Sequence, residues 1–291
     1  MSSESTPTDN DAARRRFMTL LLAGGSATVA AGCVSQPDES CERDETCNPL
    51  LWAVAWQQTA AEFQALCFQA FSLARLRLDM ALAARAADDK PLAVITDLDN
   101  TVLHANSYWG YLVNQGMDFF DDAIWDEWVP EFEMTAVPGS LEFLNYCAAK
   151  NVEVFYVTNR DQGERTYEYA LQQIQELQFP YADNNHLTVF RATSDKSPAR
   201  ESIATRFDIA LMLGDNLNDF RRDYYVKDVA ERIALMERDR ADWGSKFILL
   251  PNATDGHWVR AIFGDSEPAP TDENRRKLKN AAARLAWQGP S

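Results

Sequence analysis

The chain has 291 residues, of which 46% are hydrophobic and 11% aromatic, so it can bury a sizeable core. Its formal net charge is −16, which argues against nucleic acid as the main partner, because phosphate backbones are bound by clusters of Lys and Arg. An acidic protein also repels anionic substrates at long range, so any phosphate site in it needs local positive charge.

Residues 1–32 have the composition of an export signal. Arg14-Arg15-Arg16 precede an apolar stretch, residues 17–32, that is shorter than the ~20 residues of a membrane span. The arginines resemble the twin-arginine pattern, and the alternative is a chance basic cluster before a general secretion signal. Ala30-Ala31-Gly32-Cys33 resembles a bacterial lipobox. It predicts lipidation of Cys33 and an extracytoplasmic protein anchored to the cell envelope, at the outer membrane or facing the periplasm.

Residues 33–48 are rich in Ser, Asp, Glu and Pro and are predicted to form the lipidated tether. Cys41 and Cys47 lie in this tether and either pair in an oxidising compartment or stay free. Cys67 and Cys147 lie in apolar helical patterns and are expected in the core. The sequence contains no Cys-X-X-Cys pattern, which argues against a zinc site.

The rest of the chain, residues 49–291, is predicted to form one α/β domain. A long helical pattern of apolar residues runs from about Leu50 to Ala87. After it, short apolar strands alternate with helices, which predicts a parallel five-stranded sheet with helices on both faces. The strands are expected at Leu92–Thr96, Val152–Val157, Leu187–Phe190, Ile209–Leu213 and Phe247–Leu250. The later helices are expected at residues 138–149, 162–177, 197–206, 226–238 and 271–287.

Residues 103–137 interrupt this alternation and are predicted to form a small helical cap. The segment is aromatic and acidic, and its aromatic side chains are expected mainly to form the core of the cap. They are Tyr108, Trp109, Tyr111, Phe119, Phe120, Trp125, Trp128 and Phe132.

Two carboxylates, those of Asp97 and Asp99, directly follow the first predicted strand. Residues two apart in an extended segment point the same way, so both carboxylates would face one site. One of them can attack a phosphorus atom and form an aspartyl-phosphate. The other can protonate the leaving oxygen and later activate water. Taken alone, the pair also fits a solvated acidic turn.

Three further polar motifs lie at or near the ends of later strands. In Thr158-Asn159-Arg160, the hydroxyl and the amide can donate to phosphate oxygens, and the arginine can reach phosphate or hold a carboxylate. Lys196 stands just before a helix and can neutralise an aspartyl-phosphate. Asp215 and Asp219 follow the fourth strand and suit Mg²⁺, which prefers oxygen ligands. Each motif alone also fits an ordinary turn or a surface residue.

The positions of the motifs at or near the strand ends strengthen the interpretation that they form one site, because ligands of parallel α/β sheets bind at the carboxyl ends of the strands. Four carboxylates brought together there would repel one another strongly without a cation, so the cluster predicts a bound Mg²⁺. Together with Lys196, and with Arg160 if it reaches the site, Mg²⁺ would supply the local positive charge that an acidic protein lacks.

The set of motifs resembles the haloacid dehalogenase superfamily, and Asp99 resembles the second acid of its phosphatases. The sequence is similar in more detail to the class C acid phosphatases, bacterial surface lipoproteins often called 5′-nucleotidases. The similarity covers roughly residues 50–265. It is carried by residues 94–103, Ala136-Val137-Pro138-Gly139, Val157-Thr158-Asn159-Arg160, Gly214-Asp215-Asn216-Leu217-Asn218-Asp219-Phe220 and residues 246–252.

The resemblance implies a haloacid dehalogenase-like (Rossmann-like) fold and an acid phosphatase that depends on Mg²⁺. Asp97 would be the nucleophile and a Mg²⁺ ligand through its side chain. Asp99 would be the acid and base, and a ligand through its backbone carbonyl. Asp215 would complete the metal site, and Asp219 would support that site or Lys196.

The same resemblance implies that Thr158, Asn159 and Lys196 hold the phosphate, that small phosphomonoesters, including nucleoside monophosphates, are substrates, and that the protein forms a homodimer.

Two positions differ from the family pattern. Asn100 stands where Glu is most frequent, and its side chain is expected to point away from the site. Asp255 stands where an aromatic residue often helps to sandwich a nucleobase, which weakens the case for a strict nucleotidase.

Two other functions remain open at this point. The protein could be a phosphotransferase that passes the phosphoryl group to an alcohol, or a surface binding lipoprotein without turnover. The histidines His104, His186 and His257 are scattered along the chain, and none is assigned to catalysis.

Overall fold

The computed structural model describes residues 48–287 and residue 289. The export signal and nearly all of the tether, with Cys33, Cys41 and Cys47, lie outside the described residues. At the start of the described chain, the Asn48 side chain donates a 2.6 Å hydrogen bond to the carbonyl of Met117. Among the described residues, no helix is long and apolar enough to cross a membrane.

The predicted five-stranded parallel sheet is confirmed. Each of its strands is a short apolar run, and all five residues of the central strand are buried, which is typical of a sheet covered on both faces. The strands are β1 (Leu92–Thr96), β2 (Leu103–His104), β3 (Thr135–Ala136), β4 (Glu153–Asn159), β5 (Leu187–Phe190), β6 (Asp208–Gly214) and β7 (Phe247–Leu249). The sheet has the order β5-β4-β1-β6-β7, and β2 pairs with β3 in a separate antiparallel ladder.

The helices of the described chain agree with the sequence in most places. Cys67 and Cys147 each lie within a helix as buried, free thiols, as predicted. The helices are α1 (Leu50–Thr59), α2 (Ala61–Ala84), α3 (Asn106–Asn114), α4 (Asp122–Trp128), α5 (Ser140–Ala149), α6 (Thr166–Glu176), α7 (Ser197–Arg206), α8 (Leu217–Phe220), α9 (Val229–Arg238), α10 (His257–Phe263) and α11 (Asp272–Ala282).

The prediction of one helix from Leu50 to Ala87 was wrong, because the chain breaks at Ala60. The backbone of Ala60 is extended, with φ −79° and ψ 125°, and it separates α1 from α2. The two helices pack on different partners: α1 lies against α3, whereas α2 lies against α5, β6 and β7. Tertiary packing therefore overrides a continuous helical pattern that contains neither Gly nor Pro at the break.

Several helix boundaries also differ from the prediction. The helix expected from residue 138 begins at Ser140, since Gly139 has a left-handed φ of 87° that a helix interior does not use. The helix expected from residue 226 begins at Val229, where the Asp228 carboxylate caps it by accepting from the Glu231 N–H at 2.8 Å. The predicted helix 162–177 starts at Thr166 after a 3₁₀ turn, and the last helix ends at Ala282. The short helices α8 and α10 were not predicted.

The segment between β2 and β3 carries α3 and α4 and is called the cap below. Most of its aromatic residues form its core, as expected, whereas Tyr111 is exposed. The Tyr108 ring is fully buried and lies 4.9 Å from the Trp125 ring and 5.7 Å from the Trp128 ring, measured between centroids. The Tyr108 hydroxyl also accepts from the Asp121 N–H at 2.9 Å and donates to its carbonyl at 3.0 Å. The buried ring thus keeps its polar end paired.

His104 lies in β2, at the base of the cap, and is buried. Its Nε2 lies 2.6 Å from the side-chain amide of Gln57 in α1, and its Nδ1 lies 2.9 Å from that of Asn106. The Phe63 ring stacks on the imidazole with centroids 5.2 Å apart. Burial lowers the pKa of His104 to about 4. The ring is therefore neutral, and one of the two amides must present its oxygen to the single ring N–H.

We expect His104 to destabilise the protein as the pH falls from 6.5 towards 4. The unfolded side chain binds a proton near pH 6.5 and the folded one only near pH 4, so the unfolded state takes up more protons in this window. The shift corresponds to roughly 3 kcal/mol of unfolding free energy, lost as the pH drops. Urea unfolding of the wild type and of His104→Gln at pH 4 to 7 tests this. A stability difference between them that does not vary with pH would contradict it.

Candidate active site

The polar motifs meet at the carboxyl edge of the sheet. Asp97 follows β1, Thr158 and Asn159 end β4, and Asp215 follows β6. The Asp97 N–H donates to the carbonyl of Leu213 in β6 at 3.1 Å, so the chain stays bound to the neighbouring strand as it leaves β1. The register of the parallel strands therefore fixes the positions of these side chains relative to one another.

Lys196 connects two of the predicted carboxylates. Its Nζ lies 2.6 Å from Oδ1 of Asp97 and 2.7 Å from Oδ1 of Asp219. The lysine side chain is only 7% exposed. Burial opposes its charge, but the carboxylates of Asp219 and Asp97 outweigh this effect and raise the pKa of Lys196. The residue is thus a permanent cation beside Asp97.

The crowding of carboxylates changes their acidity. Burial, together with the charges of Asp219 and Asp99, raises the pKa of Asp97 to about 7, although Lys196 opposes the shift. Burial and the charges of Asp219 and Asp97 also raise the pKa of Asp215 well above its usual value. Burial and the neighbouring carboxylates thus favour the protonated, uncharged forms of Asp97 and Asp215.

One carboxylate oxygen each from Asp97, Asp215 and Asp219 lies within 4.8 Å of the others. This spacing suits ligands of one small divalent cation, since Mg²⁺ binds oxygens at about 2.0–2.1 Å. Asp219 already uses Oδ1 for Lys196 and accepts from the Asn216 N–H at 3.0 Å with Oδ2. Asp219 therefore positions Lys196, and Asp97, Asp215 and Asp219 are the side-chain candidates for holding the cation.

Asp215 is held by two donors that the sequence interpretation missed. The hydroxyl of Thr101 donates to its Oδ1 at 3.0 Å, and the side-chain amide of Asn252 donates to its Oδ2 at 2.7 Å. Both donors lie in segments that carry the family resemblance, so the sequence marked these segments as relevant to the site. It did not show that both residues donate to the same carboxylate.

Asp99 is bound by Arg160. The guanidinium donates from Nε to Oδ2 at 2.7 Å and from Nη2 to Oδ1 at 2.5 Å. Arg160 itself is buried, and its backbone N–H donates to the carbonyl of Phe190 at 3.1 Å. Of the two roles that the sequence left open for Arg160, the structure shows the contact with a carboxylate. This bidentate contact fixes the orientation of Asp99. The Asp99 side chain is not part of the cluster around Asp215.

The predicted phosphate ligands from β4 have different surroundings. The Thr158 hydroxyl is buried, and no residue within the described chain forms a hydrogen bond with it. A buried hydroxyl without a partner is costly unless a ligand supplies one. Asn159 is exposed and lines the cavity above the sheet edge. Their contact with phosphate stays a prediction.

The cavity has a volume of about 190 Å³ and opens to solvent. Asp97, Asp99 and Lys196 line it, and so do residues from the cap and from the loops that follow β6 and β7. Asn100 lines the cavity as well, and its side chain donates to Asp255 Oδ1 at 3.0 Å. The expectation that Asn100 points away was therefore wrong. Its left-handed φ of 55°, which Asn tolerates better than most residues, turns the side chain towards Asp255.

Gly214, at the end of β6, allows Asp219 to approach the backbone. A Cβ at this position would lie 2.5 Å from Cβ of Asp219, far inside van der Waals contact. We expect Gly214→Ala to displace Asp219 and, with it, Lys196. The activity should fall roughly 10- to 100-fold, because small misplacements of catalytic groups have effects of that size.

A steady-state assay of phosphomonoester hydrolysis checks this prediction. Gly110→Ala is the matched control, since its new Cβ would meet only the end of the flexible Gln58 side chain, at 3.2 Å. Equal activity of the two variants would show that the close approach at Gly214 does not matter.

A comparison with protein families agrees with this architecture. The model of the HAD superfamily, subfamily IIIB (Acid phosphatase), matches residues 32–258. The chain therefore belongs to the haloacid dehalogenase superfamily. Within it, the chain is an acid phosphatase of subfamily IIIB, a phosphoric monoester hydrolase, as the resemblance of its motifs implied.

Two solved structures support this assignment. Both are class C acid phosphatase from Bacillus anthracis, and one of them has tungstate bound. Each is 30% identical to this chain, with a TM-score of 0.73. The matches cover 83% and 82% of this chain and 97% of each of those chains. The expected fold and family are thereby confirmed.

Proposed function

We propose that this acid phosphatase hydrolyses phosphomonoesters in a Mg²⁺-dependent reaction, through an aspartyl-phosphate on Asp97. The observation that carries the proposal is the placement of Lys196 between Asp97 and Asp219, beside Asp215. A buried cation and an acidic cluster at one sheet edge suit an anionic phosphoryl group that is attacked by a carboxylate. The tungstate bound to the structure from Bacillus anthracis agrees with a site for tetrahedral oxyanions.

In the first half of the reaction, a carboxylate oxygen of Asp97 attacks phosphorus, and the bond from phosphorus to the alcohol oxygen breaks. Asp99, oriented by Arg160 and carrying a proton at this stage, gives that proton to the departing alcohol. Lys196 keeps its charge and offsets the negative charge that collects on the phosphoryl oxygens. Thr158 and Asn159 donate to those oxygens.

In the second half, water attacks the phosphorus of the aspartyl-phosphate. Asp99 takes a proton from this water, the bond from phosphorus to the Asp97 oxygen breaks, and inorganic phosphate leaves. Mg²⁺, held by Asp97 and Asp215, would neutralise part of the charge on phosphate and carboxylates when bound. Asp97 and Asp99 then return to their starting forms.

Acid quenching during turnover of a radiolabelled phosphomonoester tests the intermediate. We expect labelled protein that loses its phosphate to hydroxylamine, as an acyl phosphate does. Turnover without any labelled protein under rapid quenching would count against the proposal. Added alcohol separates hydrolysis from phosphotransfer: equal amounts of free phosphate and released alcohol indicate a hydrolase, and a deficit of free phosphate indicates a transferase.

We further propose that Cys33 is lipidated and that the enzyme faces the outside of the cytoplasmic membrane. The support is the order of the basic cluster, the apolar stretch and the lipobox-like residues 30–33. Cells fed labelled palmitate should yield labelled protein, and Cys33→Ser should yield none. The proposed homodimer can be tested separately by light scattering of the purified protein.

A further inference from the structure

The active-site cavity extends beyond the place for phosphate, and its outer part is acidic. Asp255 and Glu267 line it. Among the lining residues in the described part of the chain, Lys196 carries the one positive charge, because burial lowers the pKa of His257 to about 4 and leaves that ring neutral. Lys196 is already paired with Asp97 and Asp219. The outer part therefore repels a second negative charge on the substrate and attracts a positive one.

Asp255 is a fixed part of this wall. Its Oδ1 accepts from the side-chain amides of Asn100 at 3.0 Å and Asn252 at 2.8 Å, and from the Thr254 hydroxyl at 3.1 Å. These donors hold the carboxylate where the family often has an aromatic residue. The acidic character of the wall is thus built into the loop after β7 and does not depend on a flexible surface chain.

Glu267 stands at the rim, next to the carboxyl group of Asp122 on the cap. Partial desolvation and the charge of Asp122 raise the pKa of Glu267 to about 7. The two carboxyl groups come from different segments and are joined by a hydrogen bond, so the pair holds a proton between them. A positively charged group that enters the cavity beside Glu267 would be attracted by the negative charge that the pair retains.

Part of the cavity wall is aromatic. Phe120 and Trp125 line the cavity, and their ring centroids lie 5.7 Å apart at an interplanar angle of 51°. The two rings contact each other directly, so a flat nucleobase cannot be sandwiched between them. An aromatic surface in the same cavity as carboxylates is instead a good environment for a compact alkylammonium group.

We infer that the preferred substrates are phosphomonoesters of amino alcohols, with an ammonium or trimethylammonium group a few bonds from the phosphate. This inference rests on the proposed function, because it concerns the leaving alcohol of the same reaction. The cationic group lies against Phe120 and Trp125 and is attracted by Asp255 and Glu267. The phosphoryl group lies beside Asp97 and Lys196.

The test compares two esters of the same shape. Phosphocholine carries a trimethylammonium group, and 3,3-dimethylbutyl phosphate replaces its nitrogen by carbon and is neutral at that end. With the purified enzyme and Mg²⁺, kcat/KM should be about tenfold higher for phosphocholine, the size of one cation–π contact combined with a partly screened charge contact. Glu267→Gln should lower this ratio, whereas Glu273→Gln, an exposed residue on α11, should not.

Equal kcat/KM values for the two esters would overturn the inference and leave the proposed function intact. The same holds if adenosine 5′-monophosphate is hydrolysed more efficiently than phosphocholine, since this would favour recognition of a nucleobase. A ratio that stays unchanged in Glu267→Gln would remove Glu267 from the proposed site. If no phosphomonoester, including p-nitrophenyl phosphate, is hydrolysed, the proposed function fails first.

Discussion

Asp97→Asn is expected to abolish hydrolysis of p-nitrophenyl phosphate. The amide of Asn is not a nucleophile, so the aspartyl-phosphate cannot form, and losses of about 10⁴-fold or more follow when a covalent catalyst lacks its nucleophile. The variant should still fold, because it keeps the shape of the side chain and removes one negative charge from a crowded group of carboxylates.

The control for this variant is Asp208→Asn. Asp208 is exposed and lies at the opposite end of β6 from the site, so its substitution should leave activity near that of the wild type. Circular dichroism and thermal unfolding show whether both variants fold. A folded Asp97→Asn protein with substantial turnover would refute the assignment of the nucleophile.

Removal of divalent cations is expected to have an effect of similar size. EDTA should abolish turnover, because without a cation the charges of Asp97 and Asp215 repel the incoming phosphate. Added Mg²⁺ should restore turnover, because it neutralises those charges. Mg²⁺ should also raise the Tm of the cation-free protein by about 5–10 °C at ~100 times its Kd, since it binds the folded state.

Asp215→Asn separates this effect from general ionic strength. The variant should lose both the activity and the rise in Tm, whereas Asp208→Asn should keep both. Calcium and sodium salts at equal ionic strength complete the comparison. Full activity after chelation, with metal content checked by elemental analysis, would contradict a metal-dependent mechanism.

The sequence predicted the sheet well because its strands are short apolar runs that lie between turns. It predicted the meeting of Asp97, Thr158 and Asp215 for the same reason, since the carboxyl ends of parallel strands share one edge. The break at Ala60 could not be predicted from the pattern of apolar residues, because it depends on the different surfaces on which α1 and α2 pack.

Within the site, the residue types were predictable, but most of the pairings were not. Arg160 had two possible partners in the sequence, and only the fold shows its contact with Asp99. Asn100 was expected to point away from the site because its left-handed backbone was not foreseen. Asp219 was expected to support Lys196 or the metal site, and the structure shows its bond to Lys196 and also includes it in the carboxylate cluster.

The contacts of Asn48 and α1 with the cap and with β2 at its base bear on how the enzyme exchanges ligands. Asn48 binds the carbonyl of Met117, Gln57 lies against His104, and the Gln58 amide donates to the carbonyl of Asn106 at 2.9 Å. These bonds brace the cap from the side of the N-terminal helix, so a wide hinge motion would break them together. We therefore expect substrate and phosphate to exchange through the open mouth of the cavity, without a wide opening of the cap.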